Sequence, residues 1–526
     1  MERTLKLSAY ACVMAFGLGL VAGTSTYAQS SRSQSQGQGS PVQEPTQPAQ
    51  PQQPTKSPDE NSNKNTQDQF PTPPVVAGTS NDAPLTGASQ PVIGLVAARS
   101  YVIPSVFFFG QLDSNGYNTS GNSSGYHFAS INTIMGSLAV QKVGRASQLD
   151  FGYLGGGSFS NQGGAYNSTI HEAAASELWS RGRWDGFIVD KFIYSSQAAY
   201  LGGATPFDVA RLNTVAGLAD TGPVILRNSF LPGQGIFTTY GPRLSNAVVA
   251  QVNNHLSRRT FFTLVGNYDV LHFYNSTAAN QPFGLQTSGL KLINSSAAGF
   301  QTGVGYQRSR RDTFAVVYRF NDLWFGGLPV SVRDNVFEVA YQRQVGERFL
   351  LQIGAGPEAS FIHDLSLTGS GLPSNTRFSW SVDSLLHYQM SRATGVTTGY
   401  NHFLNSGSGV FLGAITDRVF VGLNRELSRV WTLDLTATYA HNQNLIPLFS
   451  TTTITAPPNA TFDSVYGGVE MRRRLGRDSE LFFGYLGRYQ TSSFTVCPQG
   501  ICLGSDLVGH QVNFGFAWHL KPVPIG

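Results

Sequence analysis

Residues 409–442, GVFLGAITDRVFVGLNRELSRVWTLDLTATYAHN, constrain the fold more than any other stretch. Read with period two, Val419, Val421 and Leu423 share one face of the first arm. Arg418, Phe420, Gly422, Asn424 and Glu426 share the other. After a polar turn at Ser428, Leu433, Leu435, Ala437 and Tyr439 stand opposite Thr432, Asp434, Thr436 and Thr438. Successive strand side chains point to opposite faces of a sheet, so each arm has an oily face and a mostly small, polar one. Each arm runs about 14 to 18 residues, where a soluble strand has about 5 or 6. A tilted strand needs roughly 9 to 11 residues to cross a bilayer. Trp431 follows the turn, where an aromatic belt places it. The unit recurs along the chain and predicts hairpins of a transmembrane β-barrel.

Composition agrees. Only 13% of the 526 residues are charged, against about 25% in soluble domains. Gly at 58, 12% aromatics and 5 Met suit a wall with one lipid face and one wet face. The net charge of +4 comes without a basic cluster interleaved with aromatics, so nucleic acid is not an expected partner. After the leader no run of 18 apolar residues occurs, which excludes a helical membrane protein.

Residues 1–28 read as a cleaved signal peptide: Arg3 and Lys6, an apolar run from Ala9 to Ala22, then Thr26-Tyr27-Ala28. Residues 29–90 are Gln, Pro, Ser, Asn and Thr with few aliphatics. Such a segment cannot bury enough apolar surface to offset its chain entropy, so it is expected to be disordered in the periplasm. It reads as a spacer, or as a tether to cell wall or a periplasmic partner. Residues 91–526 form the barrel domain.

Short polar turns at Gly144-Arg145, Gly182, Arg258, Ser309-Arg310, Gly346-Glu347, Ser391, Ser428 and Gly476-Arg477 alternate with long Gly/Ser/Asn/Pro-rich loops. That alternation predicts an all-β fold, an antiparallel up-and-down barrel with short periplasmic turns and long external loops. Counting strands gives about 18, the first near 99–112 and the last near 507–520; discounting two weak segments gives 16. Trp179, Trp184, Trp431 and Trp518 fall near the short-turn ends, and Trp324 and Trp380 near the loop ends.

The last strand, VNFGFAWHL, puts Val512, Phe514, Phe516, Trp518 and Leu520 on one face and Asn513, Gly515, Ala517 and His519 on the other. It resembles the C-terminal strand of Gram-negative outer-membrane porins, although KPVPIG follows it here. The resemblance implies an outer-membrane, porin-like barrel whose partners are outer-membrane lipid and small hydrophilic solutes, in chains that can form homo-oligomers. It also implies a role for the longest loop, Leu201 to Leu244. General porins fold the loop at this place in strand order into the barrel, which makes Asp208, Arg211, Asp220 and Arg227 candidate constriction residues.

Strand parity assigns Asp269, Arg319, Glu338, Asp383, Arg418, Asp434, Glu470, Arg472, Glu480 and Arg488 to the lumen, because charge on the lipid face is disfavoured by about 2 to 4 kcal/mol at midplane. Rings of such groups can select solutes. Cys497 and Cys502, in CPQGIC, can close a small disulfide in an oxidising compartment, and no further His or Cys completes a metal site there. No HExxH or phosphate-binding loop stands in the mature chain. Ser379, Asp383 and His387 share a parity, but four residues of strand span about 13 Å, too far for hydrogen bonds. The chain therefore reads as a non-enzymatic, cofactor-free outer-membrane pore for passive diffusion of small hydrophilic solutes or ions. Two other readings share these features: a closed barrel serving as surface adhesin or structural protein, and an exporter of a secreted polymer.

Overall fold

The computed structural model describes residues 100–114, 129–161, 167–195, 243–274, 294–309, 311–326, 330–346, 348–364, 375–405, 412–446, 460–476, 478–493, 507–521 and 523–525. Residues 1–90 with the expected signal peptide and spacer, the loop residues Asp208, Arg211, Asp220 and Arg227, and the Cys497/Cys502 pair all lie outside them.

Eighteen long strands form one closed antiparallel sheet. They are β1 (Tyr101–Asp113), β2 (Ala129–Val143), β3 (Ser147–Ser160), β4 (Ser168–Arg181), β5 (Trp184–Ser195), β6 (Arg243–His255), β7 (Thr260–Phe273), β8 (Ser295–Gln307) and β9 (Asp312–Phe325). There follow β10 (Val330–Val345), β11 (Phe349–Asp364), β12 (Asn375–Ser391), β13 (Thr394–Asn405), β14 (Leu412–Glu426), β15 (Trp431–Ile446), β16 (Thr461–Arg474), β17 (Ser479–Ser492) and β18 (Leu507–His519). Each pairs with its sequence neighbours, and β1 closes the ring against β18 from Ser105↔His519 to Asp113↔Gln511. A two-residue strand, β19 (Val523–Pro524), continues that edge by pairing with Tyr101 and Val102.

The register fixes the size of the barrel. Following directly opposed residues round all eighteen pairings returns to β1 about 22 residues further along. With a rise of about 3.3 Å and a strand spacing of about 4.8 Å, that stagger tilts the strands by about 40° and sets a backbone radius of about 17–18 Å. A wall of this size leaves an aqueous channel unless something fills it.

The two rims differ. At one, eight connections of two to four residues join the strands, and each carries arginine, from Arg145 and Arg183 to Arg429 and Arg477. Several are built on a serine whose hydroxyl satisfies turn amides. Ser257 Oγ accepts from Arg259 N (3.1 Å) and Thr260 N (3.0 Å), and Ser309 Oγ from Arg311 N (3.0 Å) and Asp312 N (3.1 Å). Ser428 does the same for Val430 and Trp431. A local hydroxyl acceptor replaces the ladder partners that a tight reversal removes. Gly182 and Gly346 adopt φ of 66° and 64°, a region in which a Cβ is strained. The first long strand begins and the last ends at this rim.

Candidate functional site

The burial pattern is inverted relative to a soluble protein. Phe108, Ile134, Leu264, Val304, Phe337, Val339, Phe483 and Phe514 are between 46% and 57% exposed, whereas Gln251, Gln301, Gln352, Glu338 and Glu470 are at most 1% exposed. The alternation follows the strand pleat, so one face of the sheet is apolar and outward, and the other polar and concave. A closed sheet with an oily outer face satisfies every backbone group internally and can sit in hydrocarbon. The chain is a transmembrane β-barrel of the outer-membrane type.

All ten charged residues assigned by parity stand on the concave face. Asp269, Arg319, Glu338, Asp383, Arg418, Asp434, Glu470 and Arg472 are buried. The Arg488 side chain is 9% exposed, and Glu480 is half-buried on the same strand face as Phe482. The barrel gathers eight of them into three groups. In the first, Arg319 of β9 donates from Nη2 to Ser381 Oγ of β12 at 3.0 Å and lies 3.9 Å from Glu338 Oε2 of β10. On the same face Asp334 accepts from Ser360 Oγ at 3.0 Å, and Asp383 from Asn401 Nδ2 at 2.5 Å. In the second, Arg472 pairs with Glu470, which is directly opposite Asp434, and Asp434 accepts from Asn424 Nδ2 at 2.5 Å. Nearby, the Arg418 guanidinium lies 4.9 Å above the Phe420 ring. In the third, Arg488 of β17 reaches across β18 to Asp113 of β1 at 2.8 Å.

Glycines make room for these groups. A Cβ on Gly354 would overlap the Glu338 carboxylate, one on Gly484 the Asn513 amide, and one on Gly509 the Arg488 side chain. The missing side chains leave notches in which long polar groups lie flat on the wall. The glycine-rich composition is therefore partly a packing requirement of the inner face.

The concave face is not uniform. Across the barrel from β9–β13, an apolar patch of Phe107, Phe109, Met135, Leu154, Ile170, Phe482 and Ala517 occupies β1–β4, β17 and β18. Phe109 and Phe482 stand with ring centroids 6.2 Å apart. The charged wall of β9–β13 faces a wall that carries this apolar patch alongside the Arg488–Asp113 pair and Glu172.

At the loop rim the wall doubles. Leu404, Ile415 and Leu445 continue the strand face that is outward lower down on β13–β15, yet they are buried with Ala297, Leu323, Phe325, Val330 and Val332 from the inward face of β8–β10. Hydrogen bonds show the same overlap: inward-face Arg377 of β12 donates to outward-face Gln443 of β15 at 3.3 Å, and Ser379 of β12 meets His402 of β13 at 3.2 Å. The cause is a length mismatch. β12 has 17 residues and β13 has 12, and their pairing ends at Val382↔His402, so the upper part of β12 overhangs. The loop ends of β13–β15 are tucked inside the β8–β12 wall.

Several residues with the same signal were not among the sequence candidates. Asp334 and Glu358 share the parity of Glu338 and lie 2% exposed beside it, and Asp113 and Glu172 are likewise buried on the inner face. Parity alone would have found them. Among the described residues no group of three or more His, Cys, Asp or Glu is placed to hold a metal ion.

No protein-family model and no curated protein matches the chain. Among solved structures it is similar to Pseudomonas aeruginosa OccK2 (OpdF), at 9% identity and a TM-score of 0.39 over 80% of this chain and 98% of that one. Acinetobacter baumannii OccAB3 gives 9% and 0.39 over 81% and 100%. The siderophore receptor PirA from Acinetobacter baumannii gives 7% and 0.37 over 81% of each chain.

Proposed function

We propose that the chain is an outer-membrane pore for passive diffusion of small hydrophilic solutes or ions, exported by residues 1–28 and oriented with its short turns in the periplasm. One observation carries this reading: an 18-strand wall with a stagger of about 22 residues encloses a concave face carrying buried charges of both signs. If side chains occupy about 5 Å of the backbone radius, the wall leaves room for hydrated solutes. The charged β9–β13 wall, facing one that carries an apolar patch, sets a transverse field, which sorts solutes by charge and orients those with one polar and one oily side.

Purified full-length chain in a planar lipid bilayer should give stepwise currents. Neutralising Arg319 and Arg418 to Gln should shift selectivity toward cations with a smaller change in conductance, since the field changes more than the width. Silence from correctly folded chain would overturn the pore. The tucked rim favours the alternative of a closed barrel presenting its loops as an adhesive or structural surface, and silence would support it.

A further inference from the structure

We propose that Ser379, His402 and Asp417 form a serine-hydrolase site at the loop rim, acting on carboxylic esters with an apolar acyl chain. The three residues come from three consecutive strands, β12, β13 and β14. Ser379 Oγ lies 3.2 Å from His402 Nε2, and His402 Nδ1 lies 2.7 Å from Asp417 Oδ1. The imidazole tautomer with its proton on Nδ1 satisfies both contacts: it donates to the aspartate and accepts from the serine hydroxyl. That is the order of contacts a nucleophile, its base and the group orienting the base require. Tyr400 OH donates to the same Asp417 oxygen at 2.7 Å and fixes the carboxylate further.

The overhang of β12 creates the site. Below Val382↔His402 the two strands are laddered together, and above it β12 separates, which lets Ser379 turn toward a histidine three residues below its register position. Above Val382 the β13 side of β12 has no ladder partner, and alternation along the strand puts the Trp380 amide on that side, while Ser379 and Ser381 are laddered to β11. Arg377, on the same face of β12, brings a guanidinium into the crevice, where it donates to Gln443 at 3.3 Å. Both kinds of donor suit a developing oxyanion. The directly opposed pair Leu404↔Ile415, next to His402↔Asp417 on the same face, begins the apolar cluster with Val330 and Val332, a floor suited to an acyl chain. The His402 and Asp417 side chains are 19% and 30% exposed, so the crevice is open. On the other face of β12, Phe378 and Trp380 are 79% and 67% exposed and set the overhang against the membrane interface.

The reaction would proceed in two halves. Ser379 Oγ attacks the ester carbonyl carbon and its proton passes to His402 Nε2. The tetrahedral oxyanion collapses, the carbon–alkoxide bond breaks, and the alkoxide takes the proton from His402 to leave as the alcohol. Water then attacks the acyl-serine, again giving a proton to His402. The carboxylic acid departs and Ser379 recovers its hydrogen.

A built-in comparison lies two strands further round. His441 Nδ1 and Tyr439 OH both meet Asp463 Oδ1 at 2.7 Å, repeating the Tyr-x-His and Asp arrangement. Folded full-length chain in detergent should be treated with a fluorophosphonate, and the labelled peptide mapped by mass spectrometry. The expected adduct is on Ser379, a result read on the parent chain without any variant. His402→Phe should abolish labelling and p-nitrophenyl butyrate hydrolysis, Asp417→Asn should lower hydrolysis at least about a hundredfold, and His441→Phe should leave both intact. Gel mobility before and after heating reports that each variant is folded. No adduct on Ser379 of folded parent chain, or equal labelling in His402→Phe, overturns the proposal. Conductance reads the pore separately, so either idea can fail alone.

Discussion

Val339 offers the most direct test that the apolar face of this barrel meets hydrocarbon. It is 55% exposed near the middle of β10, flanked by Val316 and Ala355 on the neighbouring strands. Its backbone is laddered on both sides, so Val339→Arg changes only what the lipid meets. Arginine at the midplane of a barrel's lipid face costs about 2 to 4 kcal/mol, falling to about 0 to 1 near the interface. Val345, 42% exposed at the short-turn end of the same strand, supplies the interfacial comparison. Val339→Arg should therefore lower the folding equilibrium about 30-fold to several-hundred-fold, and Val345→Arg less than about tenfold, at about 1.4 kcal/mol per decade. Urea unfolding in lipid vesicles, followed by tryptophan fluorescence, measures both. If the two variants cost the same, that face is not in hydrocarbon, and the membrane-spanning argument collapses.

Other residues make equally sharp cases. Arg488→Met removes the guanidinium that pairs with the buried Asp113 carboxylate at the seam that closes the barrel, and should cost about 3 to 5 kcal/mol; adding Asp113→Asn should recover most of it in the same unfolding assay. Gly356→Ala puts a Cβ onto the Phe337 carbonyl, which should cost about 1 to 3 kcal/mol, while Gly136→Ala, with open space around it, should be close to neutral. The arginines in all eight short turns should favour insertion into vesicles carrying anionic lipid by about 1 kcal/mol for each residue that reaches the surface. Replacing Arg258, Arg259 and Arg311 with Gln should reduce that preference, read by comparing folding yields in neutral and anionic vesicles.

Most of the wall is legible in the sequence because its side chains obey one rule. Period-two alternation in segments longer than soluble strands, punctuated by Ser-Arg and Gly-Arg turns, locates every long strand to within a few residues. The same parity places Glu338 and Arg319 on the concave face. What parity cannot supply is which residues meet across strands. Arg319 finds Ser381 62 positions away, and that contact depends on the registers of three successive strand pairs. Ser379 illustrates the point twice. Along its own strand, the residues that share its parity, Asp383 and His387, are too distant to cooperate, whereas the strands on its other side deliver His402 and Asp417. The tucked rim was invisible for a related reason: it arises from unequal lengths of β12 and β13, and parity keeps predicting an outward face where the wall has folded behind itself.

Ile415 distinguishes a tucked rim from a single-layer one. It is 5% exposed and packs in the cluster with Val332 and Leu323, although its strand face points outward lower down. In a single-layer wall Ile415→Ala would lose only the transfer of its side-chain carbons from water to lipid, about 0.8 kcal/mol for each, with no cavity and no coupling to Val332. Inside a packed cluster the lost methyl groups leave a cavity between two protein layers, and such truncations cost about 2 to 5 kcal/mol. Val332→Ala removes the facing side from β10, and two residues sharing one cluster should couple by about 0.5 kcal/mol or more in a double-mutant cycle. Strict additivity of Ile415→Ala with Val332→Ala would mean that β13–β15 stand in line with the rest of the wall. The crevice that brings Ser379 to His402 would then have no structural basis, and the loop mouth would be as wide as the barrel beneath it.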